Sequence, residues 1–539
     1  MAVPVAAGRQ HVPDILDCLA QLSNDEVPTP PKLARAMLNL LPDEVWSNPH
    51  YRWLDPCCKS GVLLREVAAR LIDGLSEWER DSQKRREHVF RNMLFGTSIT
   101  ELTGIISRRT VYYSRSASGE HSVVRFDGPD GLIPFIPTDH AFGTGANTKS
   151  CTICGAPADL EREGRENYAY SFIHGTYPPE EMSDMKFDVI LGNPPYQVGT
   201  QGFGANASTV YHRFVTRAID MNPRYVLMVT PSRWFTGGKG LHEFRTRMLG
   251  DRHLRCIVDN PKLFDCFPGV EIKGGVSYFL WDRDHEGDCE FSNRIDGSIV
   301  SVATRDLRSG DGVLVRDNNA MSIITKAGMT SDNLESQVSV RKPFGLNIFS
   351  NYPGSVPEPF DGAIPLIYAS KVGFSRTDQL ERNHEWIDRW KVLIPKAGDG
   401  HGREVSYVLG EPIALAPGSA CTQTYLIAGM FDTREETENY AYYLATKLVR
   451  FLVLQRKTTQ DVTPDRFRFV PILDMSRRWT DEDLYEHFGL TDEERAYIEA
   501  TIQPRSVNLS LDSPIPASHL PGGLKYRAGP VVEDAGDDA

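Results

Sequence analysis

Short apolar runs recur along the first half of the chain, each closed by glycine, proline or small polar residues and followed by a stretch with helical spacing. Trp53-Leu54-Asp55, the segment ending at Phe95-Gly96-Thr97, Phe187-Asp188-Val189-Ile190-Leu191, Arg224 to Thr230, Leu254 to Asp259 and Gly274 to Trp281 read as strands. Val62 to Leu71, Leu102 to Tyr112, a run through Tyr211, Phe214, Val215 and Ala218, and a segment beginning at Gly237 read as helices. A further amphipathic run follows Thr29-Pro30-Pro31, with proline where helices begin. Strands alternating with helices predict an open α/β sheet.

The pattern breaks twice. Between Ser114 and Met185 it gives way to Gly-, Ser- and Pro-rich sequence, which reads as an insertion over about 115–185. From about Ser292 the alternation is lost, which predicts a second domain of mixed α+β character over 292–504, containing one amphipathic helix from Tyr440 to Lys457. Residues 1–26 form a lead to the first domain, 27–291, and residues 505–539 are Pro/Gly-rich and acidic, the composition of a disordered tail.

The third strand runs into Gly192-Asn193-Pro194-Pro195-Tyr196. Two prolines forbid extension of the strand and an immediate helix, so Asn193 and its carbonyl neighbours sit in a stiff loop at a strand's carboxyl end, where open α/β sheets bind ligands. An amino group on an aromatic ring is a poor nucleophile because its lone pair is delocalised. Two fixed acceptors, the Asn193 side-chain oxygen and a prolyl carbonyl, would favour the pyramidal nitrogen that forms as it attacks an electrophile. Tyr196 offers a flat face for the ring to stack on.

Asn-Pro-Pro-Tyr after Asp188-Val189-Ile190-Leu191-Gly192 resembles the catalytic motif of S-adenosylmethionine-dependent amino-methyltransferases, in particular the DNA adenine-N6 enzymes of restriction-modification systems. The resemblance runs from about Val27 to about Pro504, in the motif order of the gamma group. It implies a doubly wound Rossmann-like methyltransferase domain followed by a DNA target-recognition domain. It implies catalytic roles for Asn193, Pro194, Pro195 and Tyr196, and a base pocket shaped in part by the stretch around Tyr278 and Phe279. Thr29 and Pro30 match the stretch that lines the cofactor pocket. Asp55-Pro56-Cys57-Cys58-Lys59-Ser60-Gly61 resembles the family's cofactor loop, giving Asp55, Pro56, Cys57 and Gly61 as binding candidates. Ser98 stands where the family often has an acidic residue for the ribose, with Glu101 as its substitute. Lys59 replaces a family glycine; a lysine lacks glycine's clearance and φ freedom. That substitution predicts a crowded loop, which Lys59→Gly should relieve.

Within the insertion lie His140, Cys151-Thr152-Ile153-Cys154-Gly155 and His174. Cys-x-x-Cys-Gly is a knuckle for a tetrahedral metal, and two histidines complete a four-ligand structural zinc site. Redox chemistry and two ordinary buried thiols are the competing readings.

Composition narrows the setting. At 539 residues the chain needs two or three domains, and 40% hydrophobic content supplies their cores. No run of eighteen apolar residues appears, and nine cysteines, mostly scattered, make no disulfide framework. A soluble, cytoplasmic, prokaryotic protein with no membrane role is expected, nucleoid-associated when bound to DNA. The net charge of −13 argues against non-specific coating of nucleic acid, though not against a local basic cleft. Arg341-Lys342-Pro343-Phe344-Gly345, Lys371 to Phe374, Lys396 and His401-Gly402-Arg403 mix cations, aromatics and glycines in a way that suits double-stranded DNA. Too few residues precede Thr29 for a nuclease core, and Glu271-Ile272-Lys273 is only half a nuclease motif, so cleavage is expected of a separate restriction nuclease or defence subunit. N4-cytosine methylation and a catalytically weak DNA-binding subunit are the alternative functions. RNA and protein-glutamine methyltransferases share the Asn-Pro-Pro-Tyr loop but rarely carry so large a C-terminal region.

Overall fold

The runs that are apolar on both faces lie at the centre of one eight-stranded sheet. In a computed structural model the described residues are 27–143, 151–155, 170–182, 184–198, 208–238, 240–262, 264–267, 270, 272, 274–346, 356–369, 371–398, 407–457 and 461–516. The lead, the loop glycines at 199, 202 and 204, Glu271, Lys273, the stretch His401 to Arg403 and the tail beyond 516 lie outside them. The chain divides into two units, 1–318 and 319–539.

The first unit contains β1 (Trp53–Asp55), β2 (Leu94–Gly96), β3 (Val189–Gly192), a short hairpin of β4 (Gln197–Val198) and β5 (Ser208–Thr209), β6 (Tyr225–Pro231), β7 (Leu254–Asn260), β8 (Val276–Asp282), β9 (Cys289–Ile295) and β10 (Ser298–Arg305). The sheet order is β10-β9-β7-β8-β6-β3-β1-β2. β2, β1, β3 and β6 are parallel; β8 runs antiparallel between β6 and β7. Every residue of β1, β3, β6 and β8 is buried, the mark of strands covered on both faces. Full burial of one such Val, Ile or Leu contributes about 1.5–3 kcal/mol.

The covering helices in chain order are α1 (Pro31–Leu38), α2 (Val62–Gly74), α3 (Ser82–His88), α4 (Glu101–Tyr112), α5 (Ser171–His174), α6 (Tyr211–Asp220) and α7 (His242–Gly250). α2 buries Leu63, Leu64, Val67, Ala68 and Leu71, one helical face against the sheet. α7 starts at His242, not at Gly237: Gly238 and Gly240 take left-handed φ and hold the preceding residues in a turn. The insertion lies along the β2 edge, where Gly96 N donates to Leu132 O at 2.9 Å and Ser98 N to Pro134 O at 3.2 Å.

Two boundaries differ from the sequence reading. β9 pairs with β7 and β10 with β9, so the sheet continues past residue 291 and the first unit ends at Asn318. The tail begins later than 505, because β17 (Asn508–Ser510) is part of a sheet in the second unit.

That unit holds a three-stranded sheet of β12 (Lys371–Ser375), β11 (Ile364–Tyr368) and β15 (Ala420–Cys421). It also holds a four-stranded sheet of β16 (Tyr425–Phe431), β13 (Trp390–Pro395), β14 (Ile413–Leu415) and β17. Among the described residues the helices that accompany them are α8 (Ala320–Ala327), α9 (Arg434–Ala445), α10 (Lys447–Leu454), α11 (Asp481–His487) and α12 (Asp492–Thr501). The single helix expected over 440–457 is two. Thr446 adopts φ −58°, ψ 151°, ends α9 and caps α10 by accepting from Val449 N at 3.4 Å. Among the described residues no helix is long and apolar enough to cross a membrane.

Candidate active site

β1 has β2 on one side and β3 on the other, so the order reverses between β1 and β3 and their carboxyl ends splay loops in opposite directions. That switch point is the binding crevice of open α/β sheets. The Asp55–Gly61 loop leaves β1 here and Gly192-Asn193 leaves β3. A Cβ on Gly192 would meet Cys57 Sγ at 3.0 Å and Asp55 Oδ1 at 3.4 Å, so glycine is what lets the two loops approach.

Asn193 is 2% exposed. Its amide nitrogen donates to Val27 O at 2.9 Å and to Thr29 Oγ1 at 3.2 Å, which consumes both N–H groups and fixes the amide's orientation. Oδ1 is buried with no hydrogen-bond partner. Tyr196 OH, Thr230 Oγ1, Trp234 Nε1, Asn260 Oδ1 and Ser277 Oγ are also buried and unpartnered. In the sheet register Thr230 of β6 lies opposite Ser277 of β8, which lies opposite Asp259 of β7. These orphan groups therefore gather at the carboxyl ends of β3, β6 and β7, where a ligand would satisfy them.

A small cleft open to solvent is lined by Thr29, Asp55, Cys57, Lys59, Gly61 and Asn193, among others. Asp55 accepts Cys57 N at 3.1 Å, and burial pushes its carboxyl up to about 6 despite that bond. Burial likewise raises the Cys57 thiol, and the neighbouring Asp55 charge adds to the rise. Gly61 caps α2 at φ 72°, and a Cβ there would meet Ser107 O at 2.9 Å. Gly61 is thus the loop position that needs glycine; position 59 is not among the residues with positive φ. Lys59 is 6% exposed, donates to Val27 O at 3.5 Å and lies 5.6 Å from the Tyr196 ring centroid.

Tyr196 is 7% exposed, edge-on to Tyr211 and Phe267 at 6.4 Å each. Tyr278 and Phe279 are buried in β8. The turn after β6 is held by Asp259, which accepts Ser232 Oγ at 2.8 Å and a bidentate pair from Arg316 at 2.8 and 2.7 Å. Sequence reading missed this clamp: its members are far apart in the chain and belong to no local motif.

Pro30 caps α1 beside Thr29, and Pro56 is buried in the turn. Ser98 and Glu101 are not brought to the cleft lining. The Ser98 hydroxyl donates to Pro134 O at 3.4 Å, and Glu101 is an exposed first-turn residue of α4, whose cap is Thr100.

The insertion brings His140, Cys151, Cys154 and His174 together, with their ligand atoms all within 4.8 Å of one another. Cys154 Sγ lies 3.2 Å from His140 Nδ1 and Cys151 Sγ 3.8 Å from His174 Nε2. Burial would raise the Cys151 thiol, but hydrogen bonds from the Cys154 backbone, His140 and the Ile153 backbone outweigh it, leaving about 7. Burial lowers His174, helped by His140 and Arg213. His174 ends α5, which is anchored by Phe172 stacked on Phe214 of α6 and by Ser171, 3.3 Å from Thr97 Oγ1 at the end of β2.

In the second unit two of the expected DNA-facing cations have partners within the chain. Arg341 donates to Gln423 Oε1 at 3.1 Å and Lys396 pairs with Asp461 at 3.3 Å. Arg450, 1% exposed, donates to Ala445 O and Gln503 O. Phe344 is core; Lys371 is exposed.

A family model described as Eco57I restriction-modification methylase matches residues 92–267, the stretch that contains the Asn193 loop. An uncharacterized adenine-specific methylase from Mycoplasma pneumoniae is 33% identical over 347 residues, covering 58% of this chain and 82% of that one. Among solved structures, the type I restriction-modification methyltransferase subunit from Streptococcus thermophilus is 12% identical with TM-score 0.31, over 56% of this chain and 53% of its own. The ATP-dependent Type ISP enzyme LlaBIII bound to DNA is 12% identical with TM-score 0.45, over 89% of this chain and 39% of its own. The chain thus spans about half or less of the length of these two solved proteins. The match to the Mycoplasma protein extends over most of that relative's length, and the loop that carries the orphaned Asn193 oxygen falls inside the family match: the chain belongs to the adenine-specific methylases of the restriction-modification type.

Proposed function

We propose that the chain methylates the N6 amino group of an adenine flipped out of double-stranded DNA, with S-adenosylmethionine as donor. The observation that carries the reading is the buried Asn193 Oδ1, left without a partner by an amide whose nitrogen is tied to Val27 and Thr29. An acceptor held this way costs no reorganisation when an amino group arrives. With the Pro194 carbonyl it takes the two N–H groups of the target nitrogen, favours pyramidalisation and so returns the lone pair for attack. The bound cofactor supplies an electrophilic methyl group. Thr29, Asp55, Cys57 and Gly61 would hold it: the cleft pairs a buried carboxylate with a close-approach turn at the start of α2, which suits a cationic amino-acid ligand. Tyr196 would stack on the flipped base. The second unit, as a target-recognition domain, would contact the duplex, and any cleavage would fall to a separate nuclease.

His140, Cys151, Cys154 and His174 would hold one structural zinc ion. Two thiols and two imidazoles whose ligand atoms lie within 4.8 Å of one another supply the four protein donors that a structural zinc site takes. Bound there, the ion would tie α5 to His140 and to the turn that carries Cys151 and Cys154.

Incubating the protein with DNA of mixed sequence and methyl-labelled S-adenosylmethionine, then digesting to nucleosides, tests the reading. Label in N6-methyladenine that falls at least about a hundredfold in Asn193→Ala is expected. Label in N4-methylcytosine, or equal turnover in the variant, would overturn it.

A further inference from the structure

The turn between β9 and β10 gathers cations that neither the cofactor cleft nor the Asn193 loop uses. β9 runs parallel to β7, and β7 to β6 through the antiparallel β8 between them, so this turn sits on the same edge of the sheet as the loop after β3. Gly297 occupies the turn at φ 80°, and a Cβ there would stand 3.4 Å from Lys32 Nζ and 3.8 Å from Arg294 Nη2. Two cations from distant parts of the chain therefore face one small space, which a side chain on Gly297 would fill. Among the described residues neither is paired with a carboxylate. The acids beside them have other partners: Asp296 pairs with Lys262 at 2.5 Å, and Asp265 accepts Asp296 N at 2.9 Å. Lys32 also stands in the first turn of α1, where a cation opposes the helix dipole, so helix stability does not account for it.

Both cations connect to the methyl-transfer site. Lys32 follows Thr29 by three residues, and Thr29 Oγ1 accepts from the Asn193 amide at 3.2 Å. Arg294 hydrogen-bonds the Tyr278 side chain, and Cys266 is an electrostatic neighbour of both Arg294 and Tyr196. Phe267, next to Cys266, is edge-on to Tyr196 at 6.4 Å. Resting on the reading of the Tyr196 pocket as the seat of a flipped adenine, we propose that Lys32 and Arg294 clamp one phosphodiester of the DNA strand beside that nucleotide. A flipped base brings its own backbone to the mouth of its pocket, and two converging cations that share no counter-ion complement one phosphate there. The ammonium supplies a compact charge, and the guanidinium, held by Tyr278, supplies directed donors. Such contacts set the register of the duplex on the protein and carry no sequence information, so this site holds the strand while bases are read elsewhere.

Fluorescence anisotropy of the full chain with a labelled duplex of mixed sequence, between about 50 and 200 mM salt, tests the clamp without reference to turnover. The double variant Lys32→Met, Arg294→Met should bind about tenfold more weakly at the lowest salt, and its slope of log affinity against log salt should flatten by about one. Lys32→Met alone, at an exposed position, should show part of the same change, and Lys32→Arg with Arg294→Lys, which keeps both charges, should hold the wild-type slope. Calorimetry should give the double variant the wild-type affinity for S-adenosylmethionine. In methyl transfer to unmethylated plasmid DNA, its KM for DNA should rise with kcat nearly unchanged, the mark of lost binding rather than lost chemistry. An unchanged salt slope would overturn the proposal, as would an equal loss in the charge-keeping variant or a fall in kcat with KM unchanged. Weaker binding of S-adenosylmethionine would assign the cations to the cofactor and overturn it too. Wild-type protein that binds the duplex no better than the double variant does would sink the clamp alone. Wild-type protein that binds no duplex would sink the DNA reading and the clamp together.

Discussion

Replacing Asp55 by asparagine should make the cofactor-free protein more stable as pH rises. Asp55 is 3% exposed at the end of β1, and burial moves its carboxyl from 3.8 to about 6. That rise corresponds to about 3 kcal/mol of penalty for ionising the group in the folded chain. Because the folded value is the higher one, the contribution is fully present below 3.8 and is lost as pH climbs through 6. Asparagine is isosteric, does not titrate and can still accept from Cys57 N through Oδ1, so it escapes the loss. The stability of Asp55→Asn relative to wild type should therefore grow by about 2 kcal/mol between pH 4 and pH 8, nearly all of it below pH 7. Urea unfolding of both proteins across that range, followed on the transition of the catalytic unit, reads the difference, in which other titrating groups cancel. A gap that stays flat or narrows with pH would refute the argument that this carboxylate is held ionised at a cost. The same variant should bind S-adenosylmethionine more weakly at pH 8, the trade expected where a destabilising charge is kept for a ligand.

Tyr196→Ala should weaken capture of DNA under turnover and Tyr196→Phe should be milder, since stacking survives loss of the hydroxyl; equal losses would move the role to the unpartnered OH. Protein purified without added metal should contain one zinc ion per chain by elemental analysis, and Cys151→Ser should lower both that content and the thermal midpoint; unchanged content would dismiss the site.

How much of this was legible in the sequence depended on whether the signal was local. β1, β3, β6 and β8 announce themselves because strands covered on both faces are apolar along most of their length. β9 and β10 do not: β10 is an edge strand with Ile299, Val300 and Val302 on the surface, joined to β9 by a turn at Asp296 and Gly297 with no helix between. Without alternation the domain boundary was drawn too early. The break at Thr446 was hidden because apolar spacing continues on both sides of a residue that helices tolerate inside or at a cap. At the site, Asn193 and the four metal-ligand candidates stood in recognisable spacings. Lys59 stood out as a departure from glycine, but that position 59 needs no left-handed φ, and position 61 does, could be read only from the folded backbone. The Asp259–Arg316–Ser232 clamp had no sequence signal, being three lone polar residues brought together by the sheet.

The central claim, that the Asn193 loop directs methyl transfer to adenine at a defined DNA sequence, is tested most directly by modification-sensitive sequencing of DNA from cells that express the chain. The expected result is N6-methyladenine at one recurring sequence in cells with the wild-type chain and at none of those positions with Asn193→Ala. N4-methylcytosine at the recurring sequence, or adenine methylation that persists in the variant, would contradict it.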